Sequence, residues 1–460
     1  MKKIARLWLA MTLLSVMPAV TQDSNYWNLQ YGTRSTLLGG AVIGSVQDLG
    51  AVYYNPGALS LSPNPEFLLT ARVYQLTSLK LENGVGDGQN LASSKIEPAP
   101  SLLAGSFNLP GLDNHRFGYS ILTRQRMKFD TEARGIVQGA EIGSGINAKS
   151  LAGEFVADQN IKDMWAGLTW SYKLNERLGI GITQFHALRD QKTRRTTVVQ
   201  SLSTENEIDA AIILDQLKFK HGRILWKAGI DFDLNPLTLG ATITTPSISI
   251  LGNGSSFNDI ISSGIDTDGD GQIDAIYAVN IQEDIKTTFR SPLSIGIGLS
   301  YRIQRTHIHA SAEWFNALKR YTVMELDDLT DEISGATLPL NVIHETKSII
   351  NIGGGVEYYL NDNFRGYASF ITDFSAAAPN SPANLTISTW DIFHINTGAA
   401  FKINKTELIV GLNYAFGHDN IHQRIDLTAL ENEDQLIDPE RQAKFIFNRL
   451  KLVFGFSLQI

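Results

Sequence analysis

Between Leu293 and Ile303 every second residue is apolar. Leu293, Ile295, Ile297, Leu299, Tyr301 and Ile303 fall on one face of an extended chain, and Ser294, Gly296, Gly298, Ser300 and Arg302 on the other. Period-two alternation marks a strand with one face against an apolar phase. It recurs from Met164 to Leu174, Leu178 to Ile182, Ile350 to Leu360, Phe393 to Phe401, Leu408 to Phe416 and Leu450 to Ile460. Helical periodicity is nowhere comparably strong after the amino-terminal stretch, so the chain reads as all-β. The apolar phase is either a soluble core or lipid.

The connections separate these cases. Short polar connections stand at Asn175 to Arg177, Leu234 to Pro236, Gln304 to Thr306, Asn361 to Asn363 and Asn404 to Thr406, with a slightly longer one near Pro110 to His115. Long polar segments alternate with them, at roughly 80–98, 125–160, 188–216, 247–288, 316–346, 375–389 and 418–441. Six short turns and seven long loops predict about fourteen antiparallel strands. This asymmetry belongs to transmembrane β-barrels of the Gram-negative outer membrane, with the short side periplasmic. A soluble β-sandwich does not require it. The last alternating segment then pairs with the first and closes the barrel without an edge.

The amino terminus agrees. Lys2, Lys3 and Arg6 precede an apolar stretch that ends near Ala19, which reads as a secretory signal over residues 1–22. Removing those three cations takes the formal charge from −8 to −11, an acidic balance that speaks against nucleic-acid binding. The chain has no cysteine, which excludes disulfides, thiolate metal sites and a lipoprotein anchor. No later run approaches the ~18 apolar residues that a membrane helix needs.

A fourteen-strand lumen is too wide for side chains alone to fill. Residues 23–65 do not alternate, carry Gly39, Gly40, Gly44, Gly50 and Gly57, and include the turn Asn55–Pro56–Gly57. Leu37, Leu38, Val42, Ile43, Tyr53 and Tyr54 make this segment too apolar for a free tail, so it is the expected plug, and residues 66–460 the barrel. By parity, Trp165, Phe185, Ile349, Tyr359, Tyr367 and Ile371 face inward and are the expected ligand-lining residues. Lys173, Lys227, Asp231, Arg302, Glu357 and Lys402 point inward by the same count and are expected to hold the plug or line water.

The glycine-rich stretch leading into Ala51–Leu61, "AVYYNPGALSL", resembles the amino-terminal hatch of the FadL family of outer-membrane fatty-acid and hydrocarbon transporters. "IKDMWAGLTWSYKLNERLGIGI", "FRSPLSIGIGLSY" and "INTGAAFKINKTELIVGLNYAFGHD" resemble its later strands. Gly57 stands where the family has alanine, and Ile460 where outer-membrane barrels usually carry an aromatic residue. The resemblance implies an outer-membrane channel for hydrophobic small molecules, foremost long-chain fatty acids. It also implies a hatch anchored at Asn55 and Pro56 and lateral release into lipid beside a kink in the third strand. Gly118 is the residue of that strand suited to a bend. A second reading is a secretion-associated scaffold whose loops bind protein partners, and other cargoes would be aromatic hydrocarbons or other lipids.

Asp266, Asp268, Asp270, Gln272 and Asp274 occupy calcium-loop positions, although Tyr277 stands where the bidentate glutamate is expected. The segment is expected to hold a structural calcium ion in an extracellular loop, the alternative being an acidic, solvated loop tip. His307 and His309 share one face of a strand but show no other metal-ligand spacing. No nucleophile motif, P-loop or dinucleotide fingerprint is present, so the chain is expected to be no enzyme and to need no cofactor.

Overall fold

A computed structural model describes residues 24–61, 66–83, 90–96, 99–138, 141–142, 146–265, 274–378, 390–422 and 442–459. The expected signal segment, Ile460 and the candidate calcium ligands Asp266, Asp268, Asp270 and Gln272 lie outside the described residues. Asp274 opens a strand.

Fourteen antiparallel staves form a closed barrel. The first is β1 (Glu66–Glu82), and the second comprises β2 (Leu91–Ile96) and β3 (Ala99–Phe107), both paired with β1. β4 (His115–Gln138) follows, and then β6 (Ile146–Asn175), which also carries the two-residue hairpin partner β5 (Glu141–Ile142). β7 (Leu178–Ser203) and β8 (Ile208–Asp233) come next. The seventh stave is β9 (Leu237–Thr244) with β10 (Ile248–Ile265), and the eighth is β11 (Asp274–Lys286) with β12 (Ser294–Ile303). The ninth is β13 (Thr306–Phe315). The connection that follows it folds into two small hairpins, β14 (Leu318–Met324) with β17 (Val342–Thr346), and β15 (Leu329–Thr330) with β16 (Thr337–Leu338). β18 (Ile349–Asn361), β19 (Phe364–Asp373), β20 (Ile392–Ile403), β21 (Thr406–His422) and β22 (Gln442–Gln459) complete the wall. β22 pairs with β1 from Glu66–Gln459 to Glu82–Lys444, which closes the ring.

The alternating apolar faces point outward. Leu168, Leu188, Ile297, Ile352, Phe370, Ile395 and Leu412 are exposed on the outside, the lipid-facing belt of such a barrel. Most of their inward neighbours are small or polar. The closed all-β architecture with this belt is that of an outer-membrane barrel.

Most of the segments expected to be long loops are instead wall. β4, β6, β7, β8, β10 and β11 run through residues 125–138, 146–160, 188–203, 208–216, 248–265 and 274–286 as paired strands. The reason is physical. Beyond the bilayer the outer face meets water and the inner face meets a polar interior, so side-chain alternation fades while the backbone ladder continues. Gln159, Arg189 and Gln191 are buried inward residues on these extensions.

Residues 24–61 lie against the inner faces of staves around the whole ring. A helical turn at Arg34–Leu37, another at Ala51–Tyr54 and a 3-10 helix at Pro56–Leu61 are nearly all buried. Asp48 staples the segment internally, accepting hydrogen bonds from the Ser35 amide, the Ser35 hydroxyl and the Gly50 amide, each at 2.9 Å. At Gly57 a Cβ would stand 2.7 Å from the Gly179 carbonyl oxygen and 2.8 Å from that of Gly229. Even alanine would need the backbone to move there, which accounts for the glycine at this position.

Candidate functional site

Buried polar contacts tie residues 24–61 to the wall, among them those of Trp27, Arg34 and Asn55. The Trp27 indole donates to Glu313 Oε2 at 2.8 Å, and the Arg34 guanidinium donates to Glu357 Oε2 at 2.6 Å. The Asn55 amide donates to the carbonyls of Ile43 at 2.8 Å and Ile230 at 2.9 Å, while its Oδ1 accepts from the Gly57 amide at 3.1 Å. An ion pair inside a membrane protein is costly to break, because separating the charges leaves each of them buried alone.

Between this segment and the upper wall lies a cavity with aromatic and cationic walls. Tyr26 and Tyr53 from this segment line it together with Trp165, Phe289 and Phe315. Arg124, Arg189, Arg223, Lys227 and Arg290 also line it, against two carboxylates, Asp163 and Glu313. The cations lie close to the rings: Arg124 is 5.7 Å from the Trp165 ring centroid, Arg189 is 4.1 Å from that of Phe289 and Lys227 is 4.9 Å from that of Tyr53. Asp163 is held by Arg223 Nη2 at 2.5 Å and by the Trp165 indole at 3.1 Å. Arg223 Nη1 and His344 Nε2 are buried and find no hydrogen-bond partner among the described residues. Both lie on this cavity, where a polar group of matching geometry would complete their hydrogen bonds.

The β14–β17 hairpin roofs the cavity. Tyr321, Val323, Met324 and Val342 pack on Phe219 and Phe289, and the Tyr321 hydroxyl is 3.2 Å from His344 Nδ1. Burial, and then the charge of Arg189, push the His344 imidazole down to about 3, so it is neutral at physiological pH.

One side of the cavity meets an irregular part of the wall. The register of β4 against β6 shifts between Thr123 and Gln125, at Arg124. At the same level β1 shifts register against β3 between Thr70 and Ala71, and against β22 between Arg72 and Tyr74. Three adjacent staves therefore lose regularity together, and Arg124 belongs both to that zone and to the cavity lining. Above it, Met127, Phe129, Phe155 and Ile161 belong to an apolar cluster of the inner wall.

The expected site residues distribute unevenly. Trp165, Phe185, Ile349, Tyr367 and Ile371 are all buried, with Tyr359 half-buried. Only Trp165 lines the cavity. Phe185 backs Trp165 and Tyr53, with ring centroids at 5.2 and 6.3 Å. Ile349 and Ile371 pack with Trp27 and Ala41. The Tyr367 hydroxyl donates to Glu357, and Tyr359 sits beside His307. Lys227, Asp231 and Glu357 are buried inward, whereas Lys173, Arg302 and Lys402 lie by the short turns, the first two paired with Glu176 and Asp233. Gly118 stays in regular register with Ser106 and Thr169, and a Cβ there would approach Leu59 and Val52. It makes room for the inner segment, and the interruption in β4 falls at Arg124 instead.

The fold has close structural counterparts. The Pseudomonas putida toluene transporter TodX aligns with a TM-score of 0.59 at 16% identity, over 94% of this chain and 99% of its own. A Pseudomonas aeruginosa FadL homologue gives 0.59 at 13% identity, over 95% and 99%. The Ralstonia pickettii toluene transporter TbuX gives 0.57 at 13% identity, over 94% and 100%. No family model matches the sequence, and no curated protein does. The class is thus a fourteen-strand outer-membrane barrel of a Gram-negative bacterium. Within that class, the chain has the fold of the FadL-type barrels.

Proposed function

We propose that this barrel takes up hydrophobic molecules that carry an anionic head group, long-chain fatty acids being the representative cargo, and releases them sideways into the membrane. The cavity carries the reading: aromatic walls offer an apolar body its contacts, while five cations face two carboxylates, with Arg223 Nη1 and His344 Nε2 unpartnered among the described residues. A neutral hydrocarbon would leave those groups unsatisfied, and a carboxylate would satisfy them. The channel class draws support from the shared fold, since the counterparts include proteins described as toluene transporters and a FadL homologue.

The exit follows from transfer energetics. Each methylene gains about 0.8 kcal/mol on leaving water, so an acyl chain passes from the cavity to lipid far more easily than to the periplasm. The zone around Arg124 is a part of the cavity wall whose strand register is irregular. Residues 24–61 act as the plug, and their displacement widens the space beneath the site.

Uptake of labelled oleate and labelled toluene in a bacterial strain without its own fatty-acid porin tests this, with folding checked by heat-modifiable gel migration. Oleate uptake is expected, and Arg124→Gln and Arg290→Gln should weaken apparent affinity for oleate about tenfold while leaving toluene unchanged, at ~1.5 kcal/mol for a charged hydrogen bond. A folded barrel that takes up toluene alone points to hydrocarbons and overturns the anionic cargo. One that takes up neither overturns the transport reading.

A further inference from the structure

His307 and His309 alternate on one strand, so both rings project to the inner face of β13. Glu357 is the cross-strand partner of His307 on β18, and His309 faces Gly355, which contributes no side chain. The three side chains therefore converge. His307 Nδ1 lies 3.6 Å and His309 Nε2 3.7 Å from Glu357 Oε2, and one ligand atom from each falls within 4.8 Å of the others.

Those separations suit a four-coordinate ion. Metal–ligand bonds of about 2.0–2.1 Å in tetrahedral geometry set ligand atoms about 3.3 Å apart, so two of the three edges are already near the required length. Two imidazoles and one carboxylate select zinc and its transition-metal neighbours over calcium or magnesium, which favour oxygen-only sets.

The groups behind the ligands are also in place. The Ser45 hydroxyl is 2.8 Å from His309 Nδ1, which leaves Nε2 directed at the site. The Tyr367 hydroxyl donates to Glu357 Oε1 at 2.9 Å, which leaves Oε2 as the inward oxygen. Such outer contacts fix ring orientation and carboxylate geometry in metal centres.

A cation already stands at the focus of this set. Arg34 Nη2 is 2.6 Å from Glu357 Oε2 and 3.2 Å from His309 Nε2. Arg34 comes from the amino-terminal segment, whereas all three ligands come from the wall. We propose that His307, His309 and Glu357 form a divalent transition-metal site that Arg34 fills in the metal's place, so that seating of Arg34 and metal binding exclude each other. A metal ion that arrives while the segment is displaced then keeps Arg34 from returning. The site is thereby coupled to the position of residues 24–61, whichever cargo the barrel carries.

The test is Co2+ titration of the purified, folded barrel in detergent, followed by the visible absorption of tetrahedral cobalt. Arg34→Ala should bind one Co2+ per chain with that spectrum, and wild type at least roughly tenfold more weakly, since ~1.4 kcal/mol of competition from Arg34 corresponds to a factor of ten. Arg34→Ala combined with His309→Ala should lose the spectrum. Arg34→Met, which fills the same space without charge, substitutes if the alanine variant fails to fold. Absence of cobalt binding by a folded Arg34 variant overturns the proposal, as does equal binding after removal of His309 or equal affinity in wild type.

Discussion

The Tyr31 hydroxyl donates a 2.9 Å hydrogen bond to the carbonyl of Thr123, on the edge of the register shift in β4. The inner segment is thus fastened to the wall at an irregular point of its register. Tyr31 is fully buried, and its amide donates to the Tyr54 hydroxyl at 3.0 Å. Tyr31→Phe removes the fastening at little cost in volume. A loss of about 1 kcal/mol is expected, enough to raise the displaced population about fivefold. Hydrogen exchange across residues 24–61 should quicken by that factor while the β1–β22 ladder keeps its protection, and equal exchange in both proteins would show the bond to be incidental.

Gly44 sets a sterner limit. A Cβ there would stand 2.2 Å from the Gly298 carbonyl oxygen and 2.8 Å from the Gly240 amide nitrogen, both wall backbone atoms. Neither can give way as a flexible side chain would. Gly44→Ala should cost about 1–3 kcal/mol or more by overpacking, borne by the seating of the segment and not by the closure of the barrel. Heat-modifiable migration should persist while cells become sensitive to bulky antibiotics that the intact barrel excludes. Unchanged sensitivity would mean that the segment seats in another way.

What was legible in the sequence follows from where the two faces of a strand differ. Ile295, Ile297 and Leu299 show their outward face because lipid lies on one side only. Above the bilayer that contrast ends, so Arg189 and Arg223, which stand on paired wall, read as loop and joining strand, and the cavity they line went unseen. Arg124 was hidden for a second reason: a register shift moves parity, and nothing in "TRQRM" announces it. His344 and Tyr321 reach the cavity from a connection that folds back inward, a tertiary event that local pattern cannot carry. By contrast the turn at Asn55, Pro56 and Gly57 was plain, because its chemistry is local.

Asn55 allows a graded test of that turn. Its amide serves two carbonyls and lies 3.3 Å from Asp231 Oδ1. Asn55→Ala leaves those carbonyls without a donor, at about 1–3 kcal/mol for each buried group. Asn55→Asp keeps the shape but aims a carboxylate at two carbonyls and a second carboxylate, so it should be the more damaging of the two. Limited proteolysis of the folded barrel should cut residues 24–61 fastest in Asn55→Asp, then Asn55→Ala, then wild type. The reverse order of the variants would mean that shape, not donation, holds the turn.

The roof of the cavity should respond to acid. His344 is buried on the β14–β17 hairpin beyond the bilayer, and burial and Arg189 hold its imidazole down to about 3, against an ordinary value near 6.5. Between those values the opened hairpin binds a proton that the closed one refuses, so closure is favoured less as the pH falls from about 6.5 towards 3. At ~1.4 kcal/mol per pH unit, acidification from 6.5 to 5 removes up to about 2 kcal/mol from the closed state. Amide exchange over residues 318–324 and 342–346, corrected for intrinsic rates, should therefore quicken at pH 5 relative to pH 7. His344→Gln, which has no proton to bind in this range, should abolish the difference, and a pH response that survives this substitution would assign it to another group.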